Sequence, residues 1–124
     1  MALSPAQGTF LASAERTTTQ TQDEQSNSNG FRGIRVVLDM TEVASSPSVT
    51  LSIQSKDRTS GEWHTLLEGA AVTGDTTNVY TLFPGAPVTT NVSANAQLGS
   101  AWRIVVTAGN ANAGTYSVGF ELLP

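Results

Sequence analysis

"GIRVVLDMT", residues 33–41, alternates with a period of two: Ile34, Val36, Leu38 and Met40 fall on one side, Arg35, Val37 and Asp39 on the other. Successive strand side chains point to opposite faces, so this is a strand with one face in a core. The same period recurs downstream. "SVTLSIQSK" (48–56) turns Val49, Leu51 and Ile53 inward, the polar turn "KDRTSGEW" follows, and "EWHTLLE" (62–68) returns. These two runs read as a hairpin over residues 48–56 and 62–68. "NVYTLF" (78–83) sets Val79, Thr81 and Phe83 against Tyr80 and Leu82, and is stopped by "PGAP", since proline cannot donate to a ladder. "AWRIVVT" (101–107) and "TYSVGFELL" (115–123) flank the Gly/Asn-rich "AGNANAG". They read as a second hairpin, residues 101–108 with 115–123. No segment has a helical period; "SANAQLG" (93–99) offers one turn at most. Six strands in the body, and one more from the N-terminal region, predict an all-β antiparallel sandwich, jelly-roll or Ig-like, or a small barrel.

The lead is of different character. "TTTQTQDEQSNSNG" (17–30) is almost wholly polar and runs straight into the first strong strand. Serial threonines favour a strand, but the stretch lacks the apolar residues of a buried one. It reads either as a mobile tail or as an edge strand over residues 11–22, lying over the sandwich or pairing with a neighbouring chain. The second reading is the sharper, and it divides the chain into an extended arm and tether (1–29) and a sandwich (30–124). Residues 1–8 are extended arm on either reading. The arm's candidate partner contacts are Phe10, Leu11, Arg16, Thr17, Thr18, Thr19 and Gln20. Phe10 and Leu11 would fill an apolar pocket, Arg16 would meet a carboxylate, and Thr and Gln would offer backbone pairing and side-chain hydrogen bonds.

Composition excludes several function classes. A chain of 124 residues is one domain's worth and needs no staple to hold a core. It has no cysteine, which removes a disulfide scaffold, a zinc ribbon and a thiol nucleophile. Charged residues are 13% of the chain and the net charge is −4, with one lysine, Lys56. No basic stripe exists to neutralise phosphates, so no nucleic-acid partner is expected. No run approaches a membrane span, and the N-terminus lacks a basic signal-peptide start, so the chain reads as cytoplasmic where it is made.

Candidate chemistry is thin. His64 is the one histidine, near Asp57 and Ser60, but all three lie on one hairpin without a nucleophile elbow or oxyanion loop. The ten acids are scattered, with no pair across a cleft. "TGDTTN" (73–78) has hard oxygens but reads as an Asx-type turn, and "NVS" (91–93) matches a glycosylation acceptor. Trp102 fits a core position; Trp63 or Tyr80, if exposed, would suit a sugar-stacking platform. No catalytic residue, cofactor or metal is expected.

In order along the chain, "AERTTTQT", "DEQSN", "GIRVVLDMT", "SIQSKD", "GEW", "YTLFPG", "WRIVVTAG" and "YSVGFELL" resemble small virion proteins of tailed bacteriophages. The chain is most similar to capsid decoration (cement) proteins with a β-sandwich body. The resemblance implies a non-enzymatic structural protein on the capsid surface of the virion, assembled in the bacterial host cytoplasm. It would bridge subunits of the major capsid protein and form a homo-oligomer, a trimer or a dimer. The long polar lead departs from the best-known decoration folds, so head-fibre, tail and connector roles stand beside it. A carbohydrate-binding module on the virion is the alternative from another class.

Overall fold

The computed structural model describes residues 6–43 and 46–124. Two five-stranded layers face each other. The first sheet has the order β1 (Ala6–Arg16), β10 (Gly114–Leu123), β4 (Gly33–Glu42), β7 (Thr77–Leu82), β8 (Ser93–Ala94). It is antiparallel except for β8, which runs parallel to β7. The second has β2 (Gln20–Thr21), β9 (Ala101–Ala108), β5 (Val49–Lys56) and β6 (Trp63–Glu68), with β3 (Gln25–Ser26) further along the outer side of β9. The expected antiparallel β-sandwich is the observed fold.

The period-two residues make the core. Ile34, Val36, Leu38 and Met40 of β4 are fully buried, and so are Leu51 and Ile53 of β5 and Ile104 and Val106 of β9. Each such aliphatic residue stabilises the fold by roughly 1.5–3 kcal/mol through burial. In β7 the inward residues are Tyr80 and Leu82, while Val79 stands 46% exposed on the outer face. The hairpin of β5 and β6 forms as expected, from Ser52↔Glu68 to Lys56↔Trp63. Its turn closes through Gly61 at φ +78°, a left-handed conformation that suits glycine. Asp57 accepts from the Thr59 N–H and the Ser60 hydroxyl there.

Three expectations are corrected. Residues 101–108 and 115–123 are not a hairpin: β9 pairs with β5, β2 and β3, whereas β10 pairs with β1 and β4 in the other sheet. Both strands carry a large apolar face, and facing each other buries both. Trp102 of β9 meets Phe120 of β10 edge to face, ring centroids 5.3 Å apart. A connection longer than a tight two-residue turn lets the chain change sheets, across a gap of about 10 Å. Residues 93–99 hold no helical turn; they give β8 and then an extended stretch whose Leu98 is 2% exposed.

The third correction concerns the lead. Expected as an arm and tether over residues 1–29, it contributes β1 to the first sheet and β2 and β3 to the second. The sandwich therefore begins well before Gly30; residues 1–5 of the expected arm lie outside the described residues. An edge strand needs only one apolar face, which is why so polar a segment can belong to the body.

Candidate functional site

The lead is held by side chains standing in for backbone. Between β2 and β3 the pairing with β9 breaks. There Gln22 donates its N–H to the Ile104 carbonyl, and its side-chain oxygen accepts the Ile104 N–H, both at 3.0 Å. Thr19 Oγ1 likewise accepts the Ala108 N–H at 3.0 Å. Asn27 grips Phe31 twice, donating to its carbonyl at 2.7 Å and accepting its N–H at 2.9 Å. The polarity of "TTTQTQDEQSNSNG" is thus the chemistry of a broken edge strand. Gln22 is 8% exposed, so Gln22→Ala leaves the Ile104 N–H buried without an acceptor. That should cost about 1–3 kcal/mol, checked by denaturant melts, with faster amide exchange at Ile104.

The seven expected contact residues are distributed along this lead. Phe10 and Leu11 on β1 pack against the chain's own core. Arg16 lies over the Tyr116 ring at 5.1 Å, and its guanidinium donates to the carbonyls of Ala12, Ala14 and Tyr116. Those carbonyls take up guanidinium N–H donors, and Arg16 makes no ion pair among the described residues. Thr18 accepts from the Gln20 side chain, Thr19 and Gln20 lie along β9, and Thr17 is exposed.

What the lead leaves open is an edge. β1 pairs with β10 on one side only, among the described residues, and carries no charge from Ala6 to Ala14. Two register irregularities, between Thr9 and Leu11 and between Leu11 and Ala14, break its regularity. Bulges of this kind, with charge, are how natural sheets blunt an edge. The regular stretch at Ala6–Thr9 stays unblunted.

Beside that edge lies the outer face of the first sheet. Register aligns three rows across it. One is Gln7, Glu121, Arg35 and Thr81, in which Glu121 accepts from Gln7 at 3.2 Å and pairs with Arg35 at 3.4 Å. Another is Ser117, Asp39 and Thr77, with the Thr77 hydroxyl donating to Asp39. Between them runs Thr9, Gly119, Val37 and Val79, which is uncharged and mostly apolar. A shallow depression of about 510 Å³ sits over this middle row, lined by Gln7, Thr9, Arg35, Val37, Gly119 and Glu121 among others.

Gly119 is unusual. A strand-interior glycine destabilises by roughly 0.5–1 kcal/mol relative to alanine. Gly8 on β1, opposite Phe120, needs its hydrogen, because a Cβ there would overlap the Phe120 ring. At Gly119 a Cβ would meet nothing nearer than the Gly8 carbonyl oxygen, 3.7 Å away, an ordinary contact. Packing within the chain does not require a glycine at this position.

The second sheet presents a different outer surface. Trp63 is half-buried, with the Arg103 guanidinium carbon 4.2 Å and the Lys56 ammonium 5.8 Å from its ring centroid. Lys56 pairs with Glu24 at 2.9 Å, which holds the Glu24 carboxyl below its usual range. Tyr80, the other aromatic of the expected sugar platform, is 3% exposed and inside the sandwich, and burial raises its hydroxyl's pKa. Trp102 is in the core, as expected.

The remaining candidates do not converge. Ser60 donates to Asp57 at 2.8 Å, which together with the Thr59 N–H lowers the Asp57 pKa. Hence Asp57 contributes to the turn above its unfolded pKa near 3.8 and loses that contribution as pH falls through the lower folded value. His64 is exposed. Gly74 and Asp75 form a bend, and Asn91 is exposed at φ +63°. Among the described residues no three His, Asp or Glu side chains are grouped to hold a metal ion, and no helix is long and apolar enough to cross a membrane.

No family model matches the chain, and no curated protein does. Among solved structures it is similar to a crystal structure of the Yersinia pseudotuberculosis-derived mitogen, at 13% identity over 98% of this chain and 85% of that one, with a TM-score of 0.42.

Proposed function

We propose that this chain is a non-enzymatic structural protein that docks flat onto a larger protein assembly, as a capsid decoration (cement) protein of a tailed-bacteriophage virion. The observation that carries the reading is the uncharged face around Gly119, continuous with the unpaired β1 edge. A strand-interior glycine that the fold does not use lets a partner approach the backbone closely. The open edge offers main-chain hydrogen bonds to an extended segment of that partner. On a shell, many copies would make such weak contacts together, and a copy touching two subunits gains from effective concentration. The partner in this reading is the major capsid protein, with copies of the chain gathered as a trimer or dimer on the shell surface. Docking is through the built-in β1 edge and the neighbouring sheet face, in place of a free arm.

The test pairs binding with stability. Gly119→Val adds a β-branched side chain where there is room, so the melting temperature should hold or rise by a few degrees. Co-sedimentation with expanded empty shells should nevertheless weaken at least tenfold, because the dent is filled. Undiminished sedimentation of the stable variant would remove this face from the docking surface. Imaging of labelled particles distinguishes a shell-wide pattern from a single vertex, where a tail or connector protein would appear.

A further inference from the structure

Arg103 is a cation fixed in place without an acid. It stands on the outer side of β9, and its Nε donates to Gln54 Oε1 on the neighbouring strand at 2.8 Å. Its guanidinium lies 4.2 Å from the Trp63 ring centroid. These two contacts use one N–H and one face of the group. The terminal nitrogens make no hydrogen bond to the described residues, and no carboxylate among them lies within ion-pair distance. Of the acids at this end, Glu24 pairs with Lys56 and Asp57 accepts from Ser60 and Thr59, while Asp23 and Glu62 stand near without an ion pair to Arg103. Arg58, a further cation at this end beside Lys56, donates to Ser100. Arg35, by contrast, has its carboxylate in Glu121.

We infer that Arg103, held by Gln54 and Trp63, is a receptor for a carboxylate on an extended acidic segment of a partner protein. A guanidinium fork matches a carboxylate through two parallel hydrogen bonds, and pre-orientation of the fork lowers the entropy lost on binding. Stacking on an indole leaves the fork's edge free while shielding its face from water, which strengthens the pair. Charge complementarity selects an acidic ligand. Position selects an extended one: Trp63 opens β6, the edge of the second sheet, and β6 pairs with β5 on one side only among the described residues. A segment added along β6 would put alternate side chains on the face that carries Trp63 and Arg103, and a long acidic side chain there would reach inward over Trp63 to Arg103, two strands from the edge. This site lies on the sheet opposite the Gly119 face and does not depend on which assembly the chain joins.

Trp63 provides the readout, because Trp102 is 1% exposed and senses little at the surface. An octapeptide alternating Thr and Glu, titrated into the full chain, should shift the tryptophan emission saturably, and the shift should weaken as salt is raised. The Thr/Gln analogue should give no shift. Arg103→Gln should bind the Thr/Glu peptide at least tenfold more weakly, and Arg103→Lys, which keeps the charge and loses the fork, several-fold more weakly. If Arg103→Gln melts early, Gln54→Leu takes its place: it frees the fork without removing it, and should weaken binding several-fold. No saturable shift with the acidic peptide, or equal binding by the Arg103 and Gln54 variants, would overturn the site. Binding of an oligoglucuronate in place of the peptide would overturn the protein partner.

Discussion

Removing residues 1–16 should abolish the cooperative melting transition. The strand lost, β1, is paired with β10 at eight positions from Ala6↔Leu122 to Arg16↔Gly114. Each ladder bond is worth only about 0.5–1.5 kcal/mol net, but the loss is collective. Phe10 and Leu11 leave the core cluster, and the β10 edge is exposed along its length. Arg16 no longer covers Tyr116, which is 1% exposed with its hydroxyl unpartnered in the described structure. Together these come to about 5 kcal/mol or more, comparable with the whole stability of an ordinary domain. Circular dichroism against temperature, with and without the segment, gives the answer. A truncated chain that still melts in one sharp transition would mean that β1 is a detachable arm after all. The experiment also separates two ways of losing capsid binding. Gly119→Val should lose it while folded, whereas the truncation should lose it by unfolding.

Trp102→Ala should be the most damaging single substitution in the core, at about 3–5 kcal/mol. Trp102 is among the largest fully buried side chains, and it bridges the two sheets by its edge-to-face contact with Phe120. Truncation leaves a cavity where the layers meet, and close-packed neighbours relax into it only in part. Trp102→Phe should cost much less. The smaller ring keeps most of the contact, and it removes an indole Nε1–H that has no hydrogen-bond partner in the described structure. A buried donor left unpaired carries a penalty of its own, so its loss offsets part of the lost volume. Urea denaturation of both variants measures the difference. Equal losses for Ala and Phe would mean that the indole N–H is satisfied, for instance by a buried water.

The body strands were legible because their signal is local. Ile34, Val36, Leu38 and Met40, or Leu51 and Ile53, reach the core through nothing but the alternation of side chains along a strand, which any five residues display. The turn at Gly61 was legible for the same reason, as its chemistry lies in neighbouring residues. Composition also left the chain without cysteine, without a basic stripe and with a single histidine, whatever the fold.

Strand pairing was not local, and there tertiary structure decided. Adjacency in the chain favoured a hairpin of β9 with β10, but burying two apolar faces against each other is worth more than joining two edges, so they sit in opposite layers. The lead carried a signal that was present and misdirected. Thr19, Gln22 and Asn27 have the polar side chains of a tether, yet Thr19 and Gln22 complete backbone hydrogen bonds of β9, at Ala108 and Ile104, and Asn27 closes a local turn onto Phe31. A side-chain amide that replaces a ladder bond looks the same in sequence as one facing water. The candidate surfaces are of the same kind. Gly119 becomes informative once its neighbours leave room for a Cβ, and Arg103 once it is held by Trp63 and Gln54 with no ion pair among the described residues. The sequence by itself determined which apolar residues of β4, β5 and β9 go inside, because their burial follows a two-residue rhythm. Which strands meet, and which surfaces they leave unpartnered, depended on contacts between residues far apart in the chain.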